Sequence, residues 1–527
     1  MLIGYVSDEY FVALPDVLIE LEDGKASWET RSRASGAIYA EVPPGEYRVT
    51  LHKSGFGAKS VRTVITPDRP SQFRLLSDCL LGYAWPKWVK AGEFSEFRVH
   101  SPEAYKLELW HYSWKKQLVE PLGWFDEHGP RAVLQITPDG DYTQTGVQWN
   151  KHGYYSKVHQ QRVRAPNKSG LYYFHAKTAS GRFFSFPWIV APARPKHKLA
   201  VLVSNINWNA YNNFGGRSNY IHPDALPSKP VVNARLECKR YTDPDHIVYD
   251  CDDYAPLSFD RPEPMNCIAE TERISDPISG RNACHLAPAE WRLLGWLAHQ
   301  GFAHDVYAET QLHDGTLDLD SYQALVLGPH PEYWSKRMYD SVKSWVMERG
   351  GKLVYLGGNG LNCEVEFLDS HTMTVRNGDM RELRQKKAES RFHLRHESEA
   401  NLLGVVFTES GAMTAAPYRV IQPDHWVFAG TGLKKGRIFG ERSLHERCPG
   451  GASGHETDKI SPSSPRNVEL LAKGLNPDDG GADMVYFETP SKGAVFSVGS
   501  ICWVSSLIVD DHVSRITTNV LKRFLKK

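Results

Sequence analysis

Four short apolar runs limit what this chain can become: KLAVLVS (198–204), YQALVLG (322–328), KLVYLG (352–357) and AVFSVGS (494–500). A strand with one wet face alternates apolar and polar residues. A nearly continuous apolar run belongs to a strand covered on both faces, as in a parallel sheet flanked by helices. Helical patterns lie between these runs. Pro288 opens one in which Trp291, Leu294 and Leu297 recur at helical spacing, and Gly301 stands where a closing glycine belongs. A second is expected from about Tyr333 to Arg349, with Met338, Val342, Trp345 and Val346 on one face and Gly350 at its end. A third covers Ser514 to Lys527. Strand alternating with helix predicts a doubly wound α/β domain over residues 193–527.

The first 192 residues read differently. Residues 1–76 alternate apolar and polar in VLIELEDG, GAIYAEVPPGEYRVTLHKSGFG and VRTVIT, with Gly and Pro as turn punctuation. The middle phrase resembles a transthyretin-like β-sandwich, which implies a structural or assembly role. Residues 77–192 continue in β style through FSEFRVHS, YKLELWHY, RAVLQIT, SGLYYFHAKT and FFSFPWIVAP, a second sandwich of immunoglobulin-like size. The aromatic, polar passage from Gly140 to Arg164 interrupts it, either as a long inter-strand loop or as a segment reaching over a neighbouring domain. APARPKHK (191–198) is the expected hinge. The fold class is therefore mixed, two N-terminal all-β sandwiches followed by an α/β domain.

Composition excludes several function classes. Lys and Arg number 62 against 62 Asp and Glu, so no global field draws the chain to nucleic acid or an anionic membrane. No apolar run reaches the roughly 20 residues needed to cross a bilayer. The start, MLIGYVSDEYF, lacks the basic region of a secretory signal. The eight cysteines are dispersed without a CxxC pair, as expected for reduced thiols of a cytoplasmic protein.

In an open parallel sheet, ligands bind beyond the carboxyl ends of the strands. NINWNAYNNFGGRSNY follows the first apolar run, PHPEYW the second and GNGLNCE the third. Tyr with Asn, His330 with Glu332, and Asn359 with Cys363 therefore converge at neighbouring strand ends. His330 and Glu332 read as an acid–base corner. Each feature has a plainer reading: Glu332 could favour a helix start, Tyr211 and Tyr220 could pack the core, and GGNG could be a turn. Cys363 is a candidate nucleophile with His330 as its base.

The phrases AYNNFGGRSNY, SFDRP (258–262), LGPHPEYWS, GGKLVYLGGNG and GASGHETD (451–458) resemble, in order, the C-terminal region of the N,N-dimethylformamidase large (beta) subunit family. The α/β part is also similar to glutamine-amidotransferase-like folds, which implies a cysteine-dependent amidase or amidotransferase-like enzyme using Cys363. The first resemblance implies hydrolysis of a small amide at a mononuclear iron, Fe(III), held by two tyrosines and a glutamate. By position in the matching phrases, Glu332 and Tyr211 are ligands. Tyr220 is the second tyrosine, with Tyr249 and Tyr254 as rivals. His330 and Asn359 fall at site positions, and Glu456 in GHETD is the catalytic carboxylate. An oxygen donor set of this kind suits a hard trivalent ion. The size of the chain and its extra β-domains predict a homo-oligomer, and the resemblance adds an accessory small subunit as a partner. The alternatives are the cysteine enzyme and a non-catalytic binding protein with a degenerate α/β domain.

Overall fold

A computed structural model describes residues 1–125, 137–149, 161–232, 247–248, 250–278 and 284–526. The described chain is mostly β-sheet, in several sheets, with ten α-helices interspersed: a mixed fold. The first 75 residues build two sheets around one core. One is the four-stranded set Ser27–Arg31, Leu18–Glu22, Gly45–Lys53, Gly57–Ile65, and the other pairs Leu2–Ser7 with Ala37–Tyr39 and Ser71–Arg74. The alternation in the sequence explains the arrangement. Ile19, Leu21, Val49 and Leu51 are buried together with Ile3 and Val6, while Glu20 and Glu22 face water.

A five-stranded and a three-stranded sheet follow, sharing a core of Tyr83, Phe97, Leu107, Phe174 and Trp188. The phrases FSEFRVHS, YKLELWHY, SGLYYFHAKT and FFSFPWIVAP supply the strands Phe94–His100, Tyr105–Tyr112, Gly170–Thr178 and Phe183–Ala191. Residues 131–136 of RAVLQIT and part of the Gly140–Arg164 passage lie outside the described residues.

The third core surrounds a nine-stranded sheet. In chain order its strands are β1 (Leu199–Val203), β2 (Asp305–Ala308), β3 (Ala324–Leu327), β4 (Lys352–Tyr355), β5 (Tyr418–Val420), β6 (Ile438–Phe439), β7 (Glu469–Gly474), β8 (Asp483–Glu488) and β9 (Ala494–Ser497). Their spatial order is β2-β1-β3-β4-β9-β8-β7-β5-β6. The four apolar runs are the four adjacent strands β1, β3, β4 and β9, paired in parallel, with β2 as a fifth parallel strand on the edge. From β9 onward the pairing turns antiparallel. The sheet is thus mixed, and its antiparallel half needs no crossover helices.

The helices differ from expectation at their starts. The helix α1 (Asn205–Tyr211) follows β1 directly, and α2 (Ala287–His299) begins with Pro288 in its first turn. The helix expected from Tyr333 is α3 (Lys336–Arg349), because Ser335 accepts from the Met338 amide as its cap. Tyr333 and Trp334 instead form a short strand beside Cys363 and Glu364. Gly350 closes α3 at φ 79°, in the left-handed conformation that glycine tolerates. The terminal helix α4 (Asp511–Phe524) starts earlier than expected, capped by Asp510. The hinge is tied down, since the Lys196 and His197 amides both donate to Asp305 at the edge of the sheet.

Candidate functional site

Each side chain of the site stands just beyond the carboxyl end of a parallel strand or on the loop facing those ends. The first strand, β1, runs into α1, whose last residue is Tyr211. The following loop brings Tyr220 back, with the Asn219 amide bonded to the Ala210 carbonyl. Two glycines make this return possible. A Cβ on Gly215 would lie 2.3 Å from the Thr143 methyl, and one on Gly216 would lie 2.4 Å from Phe11. Both have left-handed φ, 104° and 93°. The loop that carries the tyrosines is therefore pressed between residues of both N-terminal units.

The SFDRP phrase explains the rest of its rigidity. The buried Arg261 guanidinium donates to the carbonyls of Phe214 (2.7 Å), Ser258 (2.9 Å) and Asn209 (3.2 Å). Asp260 accepts from Arg98 (2.6 Å) and Tyr83 (2.6 Å) of the second β unit. This phrase positions the site rather than taking part in it.

Glu332, after β3, is buried at 1% exposure. Tyr211 Oη donates to its Oε2 (3.0 Å), Tyr220 Oη to the same oxygen (2.8 Å), and the two phenols lie 2.7 Å apart. Three oxygens thus form a small triangle. Tyr333 Oη adds a bond to Tyr220 (2.8 Å) from behind. Burial, and then the Glu332 charge, push the Tyr220 phenol well above its ordinary pKa. Burial also raises the Glu332 carboxyl, with neighbouring His330 opposing the shift.

His330 lies between two carboxylates: its Nε2 is 3.4 Å from Glu332 Oε2 and 3.0 Å from Glu456 Oε2. Its other nitrogen, Nδ1, receives the Asn207 amide (3.4 Å) and stands 3.1 Å from His285 Nδ1. An amide N–H on Nδ1 leaves the ring proton on Nε2, toward the carboxylates. Asn359, at φ 50° after β4, is held by its own amide on Asp458 (2.7 Å) and donates its side-chain amide to Glu456 (3.0 Å). Burial raises the Glu456 pKa, but the His330 ring 3.0 Å away and the Asn359 amide outweigh it and hold the carboxyl well below the ordinary range. The Glu456 side chain keeps 19% of its surface exposed, against 2% for Glu332 and none for His330. Water reaches the group from the Glu456 side.

All six residues named from the sequence as metal or catalytic candidates, Tyr211, Tyr220, Glu332, His330, Asn359 and Glu456, therefore meet in one place. Of the rivals to Tyr220, Tyr254 accepts a bond from Asn377 (3.2 Å), and Tyr249 lies outside the described residues. Cys363 is buried 3.9 Å from Glu332 Oε1, and burial pushes its thiol up to about 12. That is the opposite of an activated nucleophile. Sequence reasoning missed Asn207, His285 and Tyr333. Asn207 and Tyr333 sit inside phrases already singled out, whereas His285 carries no local signal.

This is a mixed α/β protein with a buried, oxygen-rich site at the carboxyl ends of parallel strands. The family described as "N,N-dimethylformamidase beta subunit-like, C-terminal" matches residues 118–515, and the chain belongs to it. Two relatives, each named "N,N-dimethylformamidase beta subunit", come from Paracoccus aminophilus and an Alcaligenes species. Both are 30% identical over 287 residues, 45% of this chain and 37% of the relative. The chain thus matches little more than a third of the length of these relatives. Among solved structures, a GH42 beta-galactosidase is similar at 12% identity and a TM-score of 0.29, covering 63% of this chain and 30% of that one.

Proposed function

We propose that this chain hydrolyses the C–N bond of a small amide of the dimethylformamide type, using a mononuclear Fe(III) and a carboxylate base. One observation carries the reading: three oxygens of Tyr211, Tyr220 and Glu332 lie 2.7–3.0 Å from one another beside the His330–Glu456–Asn359 group. Oxygen donors about 2.0–2.2 Å from one metal ion at right angles are roughly 3 Å apart. The triangle fits such an ion, and its phenolate and carboxylate donors suit a hard one. Bound there, the ion would supply Lewis acidity, polarising the amide carbonyl and acidifying water.

The remaining work falls to the chain's own residues. Glu456, held ionised and open to solvent, takes the proton from the attacking water and returns it to the leaving nitrogen, so that C–O forms as C–N breaks. His330 Nε2–H and the Asn359 amide face the reaction side as donors to the developing oxyanion, each worth about 3 kcal/mol. Packing around Tyr211, Tyr220 and Glu332 excludes water from the far side.

The same reading includes two N-terminal sandwiches of transthyretin and immunoglobulin type before a glutamine-amidotransferase-like domain. It also includes a cytoplasmic home, self-association and an accessory small subunit. Its support is the family, whose relatives carry the word subunit in their names. The test is elemental analysis and an absorption spectrum of the purified protein, with N,N-dimethylformamide as probe substrate. Phenolate-to-iron charge transfer should colour the protein, and Tyr211→Phe should remove both colour and hydrolysis. An iron-free, colourless protein that hydrolyses the amide would overturn the iron assignment.

A further inference from the structure

Next to this group lies a second set of donor side chains that the proposed reaction does not use. Cys284, His445 and His455 are all buried, and one donor atom from each lies within 4.8 Å of the other two. The imidazoles meet through His445 Nε2 and His455 Nδ1, 3.0 Å apart. Two further buried thiols border them. Cys502 Sγ lies 3.9 Å from the Cys448 carbonyl.

We infer that Cys284, His445 and His455 form a binding site for a borderline-soft divalent cation of the zinc class, distinct from the oxygen triangle. The donor types carry the assignment. One thiolate and two imidazoles prefer zinc-like ions, whereas phenolates and a carboxylate prefer a hard trivalent ion, so two adjacent sites select different metals. The spacing agrees: metal–nitrogen bonds of about 2.0–2.1 Å in a tetrahedron place the nitrogens roughly 3.3 Å apart.

Chain connectivity supplies the consequence. Cys284 precedes His285, which touches His330, and His455 precedes Glu456. One ion would clamp the two segments that flank the acid–base residues. Without it, the Cys448 amide donates to His445 Nδ1 (3.0 Å), and the ring proton on Nε2 bridges to His455. Loading moves that proton to Nδ1, which displaces the Cys448 amide, and takes Cys284 as thiolate, its proton leaving to solvent. A set of three metal–ligand bonds outweighs a single amide hydrogen bond. Arg447 Nη1, 3.4 Å from His455 Nε2, opposes a cation, and the thiolate charge of Cys284 counters it.

The experiment is a Co(II) titration of the full chain after chelator treatment, followed through the thiolate-to-cobalt charge-transfer band and the visible bands of a tetrahedral ion. Elemental analysis of the untreated protein accompanies it. The expected result is one equivalent of cobalt with the thiolate band, and zinc in the untreated protein. Cys284→Ser should lose the band, and His445→Gln, which keeps the thiol, should weaken cobalt binding about tenfold or more. If Cys284→Ser fails to fold, His445→Gln alone decides. Glu332→Gln should keep the band while losing any iron colour, so failure of the iron reading leaves this result standing. Cobalt binding without a thiolate band in the wild type, or wild-type affinity in His445→Gln, overturns the assignment.

Discussion

Two carboxylates share the His330 imidazole, and their surroundings drive them apart. Glu332 is sealed and raised by burial, whereas Glu456 reaches solvent and is held ionised by His330 and Asn359. A base must be ionised and reachable, so the structure favours Glu456 for that role. Glu456→Gln should lower hydrolysis by about 10²–10⁴-fold while leaving iron content unchanged; an active variant would return the base role to His330. Another buried acid, Glu399, affects stability instead. Burial raises its pKa from 4.5 to about 8, with the Ser390 hydroxyl donating to one oxygen (2.5 Å). Between those two pKa values the folded chain keeps a proton that the unfolded chain releases. The stabilisation is complete below the unfolded pKa and is lost as pH rises through the folded one, by up to about 1.4 kcal/mol per pH unit. Glu399→Gln should flatten that slope in urea melts from about pH 5 to about pH 8, and parallel slopes would count against it.

The parallel half of the sheet was legible in the sequence because strands buried on both faces leave an uninterrupted apolar run. The antiparallel half was not. Strands such as β7 are only partly covered, and β6 has only two residues, too few for a period. The start of α3 was misread because Tyr333 and Trp334 are apolar and in phase with the helix, and only Ser335 marks the break. The strand-end rule located the site, and the family phrases pointed to Glu456 on a loop that no periodicity could place. His285 escaped because one histidine in an irregular segment looks like any other. Close packing between loops matters as much as the side chains. A Cβ on Gly358, in the turn after β4, would lie 2.4 Å from the Glu456 carbonyl oxygen and 2.9 Å from the Ile501 amide. Gly358→Ala should therefore displace Glu456, lowering hydrolysis about 10²-fold for a stability cost of about 1–3 kcal/mol. Assays paired with thermal melts would show it, and an unimpaired turnover would mean that the turn yields without moving the carboxylate.

At the scale of the whole molecule, the second β unit is bound to the region carrying the site through buried charge. Lys87 and Glu263 meet at 2.5 Å with 8% and 3% of their side chains exposed, and Arg98 meets Asp260 at 2.6 Å. Removing one member of such a pair strands the other. Glu263→Ala should cost about 3–5 kcal/mol in denaturant melts, and Lys87→Met combined with Glu263→Leu much less. Equal losses in the two variants would show that packing, not charge, holds the units together. The order of strands in the central sheet carries one more implication, for the chain as it is made. Strand β4, whose end holds Asn359, takes β9 as a neighbour, and β9 begins at Ala494, more than a hundred residues later. A growing chain therefore exposes an open, apolar sheet edge until more than a hundred further residues have been synthesised. Pairings this distant in sequence form slowly, so the nascent protein must stay soluble longest at the strand nearest its chemistry.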